Sequence, residues 1–261
     1  MSESQRQAVA LITGSSRGIG RAIAVELALH DYSVVVNFFR SPDAALEVVE
    51  EIEAQGGTAV CVRGSVASTS DRQRLLDETL SQFGRLDLLV NNAGITSPGR
   101  SDLLELSEES WDTVFATNLK GPFFLAQLAA RDMVARIHDG QIPRGTIVNV
   151  SSISAYAVST NRVDYCIAKA AMEMMTWQLA SRLADEGIRV YEICPGIIDS
   201  DMTAPVREKY DKLIAEGLTP IRRWGEGIDV ARAVATVASD VFSFSTGERI
   251  NVDGGFHIRR L

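Results

Sequence analysis

A chain of 261 residues, 46% hydrophobic and 23% charged, has the composition of an ordinary globular protein, which excludes disorder and fibrous repeats. Its formal charge of −8 excludes the broad basic face that nucleic-acid binders carry. There is no apolar run of about 18 residues or more, and the polar stretch Met1–Gln7 lacks an apolar signal core, so no membrane span is expected and the compartment reads as cytoplasmic.

Short apolar, β-branched runs predict seven buried strands, at Ala8–Ile12, Ser33–Asn37, Thr58–Val62, Leu86–Val90, Thr146–Val150, Arg189–Cys194 and Arg249–Val252. Between them, helical periodicity marks Gly18–His30, Asp43–Gln55, Ser70–Gln82, Glu108–Ile137, Val163–Glu186, Ala204–Glu216 and Asp229–Ala238. Alternation from end to end predicts an α/β fold: a single doubly wound Rossmann-type domain over residues 1–261, with a seven-stranded parallel sheet and helices on both faces. Ligands of such sheets sit beyond the carboxyl ends of the strands. The long excursions Ile95–Leu106 and Asp199–Gly225 leave from that edge and are expected to shape a substrate pocket.

The run Thr13-Gly14-Ser15-Ser16-Arg17-Gly18-Ile19-Gly20 follows the first strand and opens the first helix. Glycines there allow a tight turn and close approach of backbone to a pyrophosphate, and the helix N-terminus favours an anion. After the second strand an acid would hold a ribose 2′-hydroxyl, but the sequence reads Asn37-Phe38-Phe39-Arg40. Arg17 and Arg40 instead suit a 2′-phosphate, which favours NADP(H) and leaves NAD(H) possible; the alternative is that both arginines are solvated surface charges.

Ser152 ends a strand, and thirteen residues later comes Tyr165-Cys166-Ile167-Ala168-Lys169 in a helical pattern. Residues four apart share a helix face, so the phenol and the ammonium can approach one ligand. A nearby cation draws a phenol toward acid–base work near neutral pH, and Ser152 supplies a further hydrogen bond to a carbonyl oxygen as charge develops on it. A Tyr and Lys four apart are common on exposed helices. The pair gains meaning from Ser152 and the glycine turn at the same sheet edge.

Together these residues resemble the short-chain dehydrogenase/reductase family over nearly the whole chain. The likeness runs from Thr13–Gly20 through Asn91-Asn92-Ala93-Gly94, Asn118, Ser152, Tyr165 and Lys169 to Pro195-Gly196 and Asp253-Gly254-Gly255. It implies Tyr165 as general acid/base, Ser152 as carbonyl polariser, Lys169 as activator that also binds the nicotinamide ribose, and Asn118 as holder of a relay water. Gly14, Ser16, Arg17, Gly18, Ile19, Gly20, Phe38 and Arg40 would take the phosphates and adenosine. Ser65 and Val66 would meet the adenine, although the family commonly has an aspartate where Ser65 stands. Asn91, Ala93 and Gly94 would flank the adenine ribose, and Pro195, Gly196, Ile198 and Thr203 the nicotinamide end.

Within that family Arg17, Asn118-Leu119-Lys120-Gly121 and the Gly247–Gly255 pattern are most similar to 3-oxoacyl-acyl-carrier-protein reductases. The substrate implied is a small carbonyl or alcohol, carried on acyl carrier protein or coenzyme A, reduced from ketone to secondary alcohol. Arg131 resembles a carrier-docking arginine, while Ser181 replaces a second, with Arg182 one position away. An NAD-dependent sugar, polyol or other alcohol dehydrogenase is the close alternative, and a noncatalytic nucleotide-sensing protein the alternative of another class.

His30, His138 and His257 have no metal-ligand spacing, and Cys61, Cys166 and Cys194 form no CxxC, so no metal and no disulfide framework is expected. The resemblance implies a homotetramer. By sequence alone the apolar faces holding Phe115, Phe123, Phe124, Met172, Met175 and Trp177 are either core or subunit contacts.

Overall fold

The computed structural model describes residues 7–259. The outer ends of the expected 1–261 domain, and nearly all of the polar stretch Met1–Gln7, lie outside the described residues. Seven strands form one parallel sheet: β1 (Ala8–Ile12), β2 (Tyr32–Phe38), β3 (Thr58–Arg63), β4 (Leu88–Asn91), β5 (Gly145–Val150), β6 (Ile188–Pro195) and β7 (Arg249–Val252). Their order is β3-β2-β1-β4-β5-β6-β7, so the winding reverses between β1 and β4 and opens a crevice there.

Period-two alternation sends the two sides of each strand into separate cores. Ala10 and Ile12 of β1 pack with Ile23 and Leu27 of α1 (Gly18–Leu29), Val48 of α2 (Pro42–Ala54) and Val230 and Val234 of α8 (Gly227–Ala238). Val9 and Leu11 face Leu75 of α3 (Thr69–Phe83), Leu125 and Met133 of α5 (Gly121–His138) and Leu183 of α6 (Val163–Leu183). The excursion before β7 carries α7 (Arg207–Ala215) and returns through a bridge between Ile198 and Gly225.

One helical expectation breaks. The pattern Glu108–Ile137 is not one helix but α4 (Glu108–Phe115), a π-helical turn Ala116–Lys120, and α5. Pro122 has no N–H to give to the carbonyl of Asn118, so the α-helical ladder cannot run through this point. Gly121 also packs against the loop after β3, where a Cβ would stand 2.6 Å from the Val66 carbonyl oxygen. Apolar periodicity continues across the break and hides it. Gly121→Ala should therefore destabilise the fold by about 1–3 kcal/mol despite alanine's higher helix propensity, lowering Tm by about 2–10 °C in thermal melts. An unchanged Tm contradicts the close approach.

Candidate active site

The expected site residues collect along the carboxyl edge of the sheet, on both sides of the β1/β4 crevice. The backbone of the turn between β1 and α1 is held by two asparagine side chains: Gly14, at φ +63°, donates its N–H to Asn37 Oδ1 (3.0 Å), and Asn92 Nδ2 donates to the carbonyls of Thr13 (2.9 Å) and Gly14 (3.1 Å). A Cβ at Gly20 would stand 2.4 Å from the Gly14 oxygen, so only glycine closes this turn. Arg17 precedes α1 without capping it by a side chain, which leaves the first N–H groups of the helix free for an anion. The cradle thus fits the pyrophosphate of a dinucleotide, with Ser16, Gly18 and Ile19 around it.

Farther along the edge the fit is looser. Phe38 is buried at the end of β2, with no acid beside it, and Arg40 is exposed with its guanidinium 5.5 Å from the Phe39 ring centroid. Arg17 lies 3.6 Å from Asp201 of the β6–β7 excursion. Ser65 donates its N–H to Asp71 Oδ2 (2.8 Å), and this bond holds the Asp71 carboxyl below its usual range. Val66 is buried; its carbonyl accepts from Arg72 Nη1 (2.7 Å). Asn91 turns inward to donate to Asn149 Oδ1 (3.0 Å), and the Ala93 N–H donates to Thr13 Oγ1 (3.0 Å), which holds the segment leading to Gly94 against the glycine turn. Thr203, expected to touch phosphate, ties its own loop by hydrogen bonds to Ile198 and Ser200.

The chemical end is more tightly built. Lys169 on α6 is buried and donates Nζ to the Val150 carbonyl (2.8 Å), at the last residue of β5. A methyl group added at Gly94 would stand 3.4 Å from Asn118 Oδ1 and 3.7 Å from Lys169 Nζ, so the three converge. The Asn118 carboxamide accepts from the Ile95 N–H (2.9 Å) and donates to the Ile95 carbonyl (2.8 Å). Its side chain is spent on that loop. The break at Pro122 leaves its main-chain carbonyl without the helical donor, and that oxygen is the group suited to a water.

Tyr165 sits one turn before Lys169 on α6, with Lys169 Nζ 5.9 Å from its ring centroid. Burial pushes the phenol up; the hydrogen bond from Ser152 and the Arg162 guanidinium, 5.5 Å from the ring centroid, pull it back. The sequence reading gave that task to Lys169 and missed Arg162. Three residues before Tyr165, Arg162 had the right helical offset to be found.

Two buried carboxylates were also missed. Asp164 accepts from Ser110 Oγ (2.7 Å), from the Tyr165 N–H (2.8 Å) and from Ser97 Oγ, pinning the loop after β4 to the start of α6. Glu192 on β6 accepts from Ser151 Oγ; burial raises its pKa, and its Oε2 has no partner. Both were hard to find, because polar residues in apolar runs read as solvent-facing.

The excursion residues Ser200, Met202, Thr203 and Tyr210 border an open cleft with Ser152, Tyr165, Pro195, Gly196 and Ile19. Arg100 is the one residue from Ile95–Leu106 that borders it. Trp224 stacks edge-on against Tyr210, its Nε1 bonded to Asp211 (2.6 Å). Among the described residues no cluster of His, Cys, Asp or Glu is arranged to hold a metal, and no helix is long and apolar enough to cross a membrane.

Burial lowers the Lys169 ammonium from 10.5 to about 8. The unfolded chain holds that proton more firmly, so folding carries a penalty that is full below pH 8 and fades as pH rises from 8 to 10.5. Lys169→Met removes the charge and keeps the apolar stem. After the orphaned Val150 carbonyl is counted, it should gain about 1 kcal/mol of stability at neutral pH. Melts across the pH range check this, and a gain that does not shrink between pH 8 and 10.5 contradicts it.

Comparison with known proteins agrees with this geometry. A family model described as enoyl-(acyl carrier protein) reductase matches residues 14–257. The 3-oxoacyl-[acyl-carrier-protein] reductase FabG of Staphylococcus aureus is 40% identical over 251 residues, covering 95% of this chain and 98% of that protein. The crystal structure of a 3-oxoacyl-[acyl-carrier protein] reductase from Brucella melitensis in complex with NAD superposes with a TM-score of 0.93 at 39% identity, over 98% of this chain and 100% of the other. A putative gluconate dehydrogenase from Agrobacterium tumefaciens gives 0.88 at 31% identity, over 96% of each chain. With its parallel sheet, glycine cradle and Ser152-Tyr165-Lys169 cluster, the chain belongs to the short-chain dehydrogenase/reductase family and is an NAD(P)-dependent oxidoreductase acting on CH–OH groups.

Proposed function

We propose that this chain reduces a ketone to a secondary alcohol with NADP(H), within a single domain that carries both the cofactor and the substrate site. The observation that carries this reading is that Ser152 and Tyr165 border the cleft that also reaches Ile19 of the glycine turn, with the buried Lys169 Nζ 5.9 Å from the Tyr165 ring centroid behind them. A bound reduced nicotinamide cofactor supplies the hydride. Ser152 donates a hydrogen bond to the carbonyl oxygen, and Tyr165 gives that oxygen its proton as negative charge develops. Lys169, charged beside the phenol and near Asn118, favours reprotonation of Tyr165 through a water on the Asn118 carbonyl.

The preference for NADP(H) rests on the absence of an acid at Phe38-Phe39-Arg40 and on the two arginines, Arg17 and Arg40, that flank the adenosine end. The Brucella relative was crystallised with NAD, and NAD(H) is the alternative cofactor here. The names of the relatives support 3-oxoacyl thioesters as the first substrate class to test. Carrier-protein docking has less support: Arg131 is exposed, but Arg182 is paired with Glu186 (2.9 Å). A second reading, oxidation or reduction of a sugar, polyol or related alcohol, is favoured by the hydroxyl-rich cleft wall of Ser154, Ser159, Asn161 and Ser200. A merely nucleotide-sensing role would have no use for a buried lysine beside a buried tyrosine. Met172 and Met175 are core, whereas Phe123, Phe124 and Trp177 are exposed on α5 and α6 and support assembly into a homotetramer.

Tyr165→Phe should lower kcat by about 10²–10⁴-fold while NADPH still binds, measured by steady-state kinetics and fluorescence titration. Activity near wild type refutes the assigned role. Arg40→Ala should raise the Kd for NADPH by about tenfold and leave that for NADH almost unmoved. Equal changes for both cofactors make Arg40 a solvated surface charge.

A further inference from the structure

The cleft has a charge opposite to that of the chain. In a protein with net charge −8, the side chains bordering this cleft include Arg100, Arg162 and Lys209 and no aspartate or glutamate among the described residues. None of the three cations makes an ion pair there; Arg162 bonds only hydroxyls, through Nε to Ser159 Oγ (3.3 Å) and Nη2 to Ser154 Oγ (3.5 Å). Of the acids on the adjoining excursion, Asp199 is paired with Arg207, Asp211 accepts from Trp224 Nε1 (2.6 Å) and Glu216 lies 4.0 Å from Lys212. Asp164, two residues from Arg162, is buried and occupied by Ser97, Ser110 and the Tyr165 N–H. Arg100 is held at φ +50°, a left-handed backbone that arginine rarely adopts, and it faces the cleft from that strained turn.

We infer that this site takes a short oxo acid or hydroxy acid, whose carboxylate is held by Arg162 with Arg100 and Lys209 at the rim while its ketone or alcohol meets Ser152 and Tyr165. The inference rests on the carbonyl chemistry proposed above and names its substrate class. Arg162 is the residue immediately before α6, and its guanidinium lies 5.5 Å from the phenol ring centroid, so an anion on it must be only a few bonds from the reacting carbon. The phosphodiester of an acyl-carrier arm stands at the far end of a long pantetheine chain and cannot be the group at Arg162. A guanidinium is suited to a carboxylate through paired charge-assisted hydrogen bonds, and part-buried cations without a carboxylate partner gain most from such a ligand.

The test compares acetoacetate and levulinate with their methyl esters and with acetoacetyl-coenzyme A. Steady-state kcat/KM is measured with NADPH, and calorimetric titration of levulinate and its ester is run on the NADPH-loaded protein. Wild type should prefer acid over ester by roughly 10- to 100-fold in kcat/KM and bind levulinate more tightly than its ester. Arg162→Met should collapse both ratios toward unity, and Arg162→Lys should restore part of them. NADPH affinity in each variant reports folding and separates a substrate role from a cofactor role. Equal binding of acid and ester overturns the inference, as does preference for the ester or the thioester, or a loss of NADPH affinity in Arg162→Met that matches the loss of turnover. Discrimination in binding without turnover of any of these ketones leaves the anion site standing and counts against the carbonyl-reductase reading instead.

Discussion

The hydrogen bond from Lys169 Nζ to the Val150 carbonyl is the contact on which the rest of the site depends. It carries an ammonium into the interior to the carbonyl at the end of β5, and it ties α6 to β5 at the turn that holds Tyr165. Once α6 is placed, Tyr165 is placed with it, because a helix allows no independent adjustment of residues one turn apart, and Arg162 sits immediately before its first residue. Ser152, two residues beyond Val150, then lies across from the phenol. A polar ladder reinforces the docking from below: Asn91 of β4 bonds Asn149 of β5, and Asn149 bonds Thr176 of α6 (2.9 Å). Hydrophobic contacts could hold α6 on the sheet in several registers, whereas these directional bonds accept one.

The same contact imposes a cost. A lysine depressed to about 8 is a charge that the fold would rather not hold, and the buried Glu192 with its unpartnered Oε2 lies in the same layer under the site. Lys169 on α6 and Glu192 on β6 are both buried in a scaffold whose two apolar cores supply the stability they consume. Placing unfavourable groups where the scaffold is most rigid is what lets a site stay both strained and fixed.

The scaffold was legible in the sequence because it follows from local rules. Parallel strands buried on both faces must read as continuous apolar, β-branched runs, and all seven emerged within a few residues of their observed limits. The glycine turn was legible because a Cβ at Gly20 has nowhere to go. Other features were set by tertiary contact and left no periodic trace. The break in Glu108–Ile137 comes from Pro122 and from the approach of Gly121 to Val66, a residue far away in the chain. Asp164 and Glu192 gave no signal because nothing local announces Ser97, Ser110 or Ser151 as partners. Arg162 lies just ahead of α6, three positions before Tyr165, and the approach of its guanidinium to the phenol ring becomes visible only in the structure.

Charge distribution links the scaffold to what it can recognise. An acidic surface repels anions at long range, so any anionic substrate must be drawn in by a local field, and a cleft bordered by cations with low-dielectric walls focuses such a field. The pairing of Asp199 with Arg207 limits how far the excursion can cancel it. Because Arg162 immediately precedes α6 and lies three positions before Tyr165, the distance between the anion and the reacting carbonyl is short and tied to the start of that helix. Selection then acts on the number of bonds between carboxylate and ketone, while the excursion carrying Lys209 and Tyr210 is left to accommodate whatever extends beyond them.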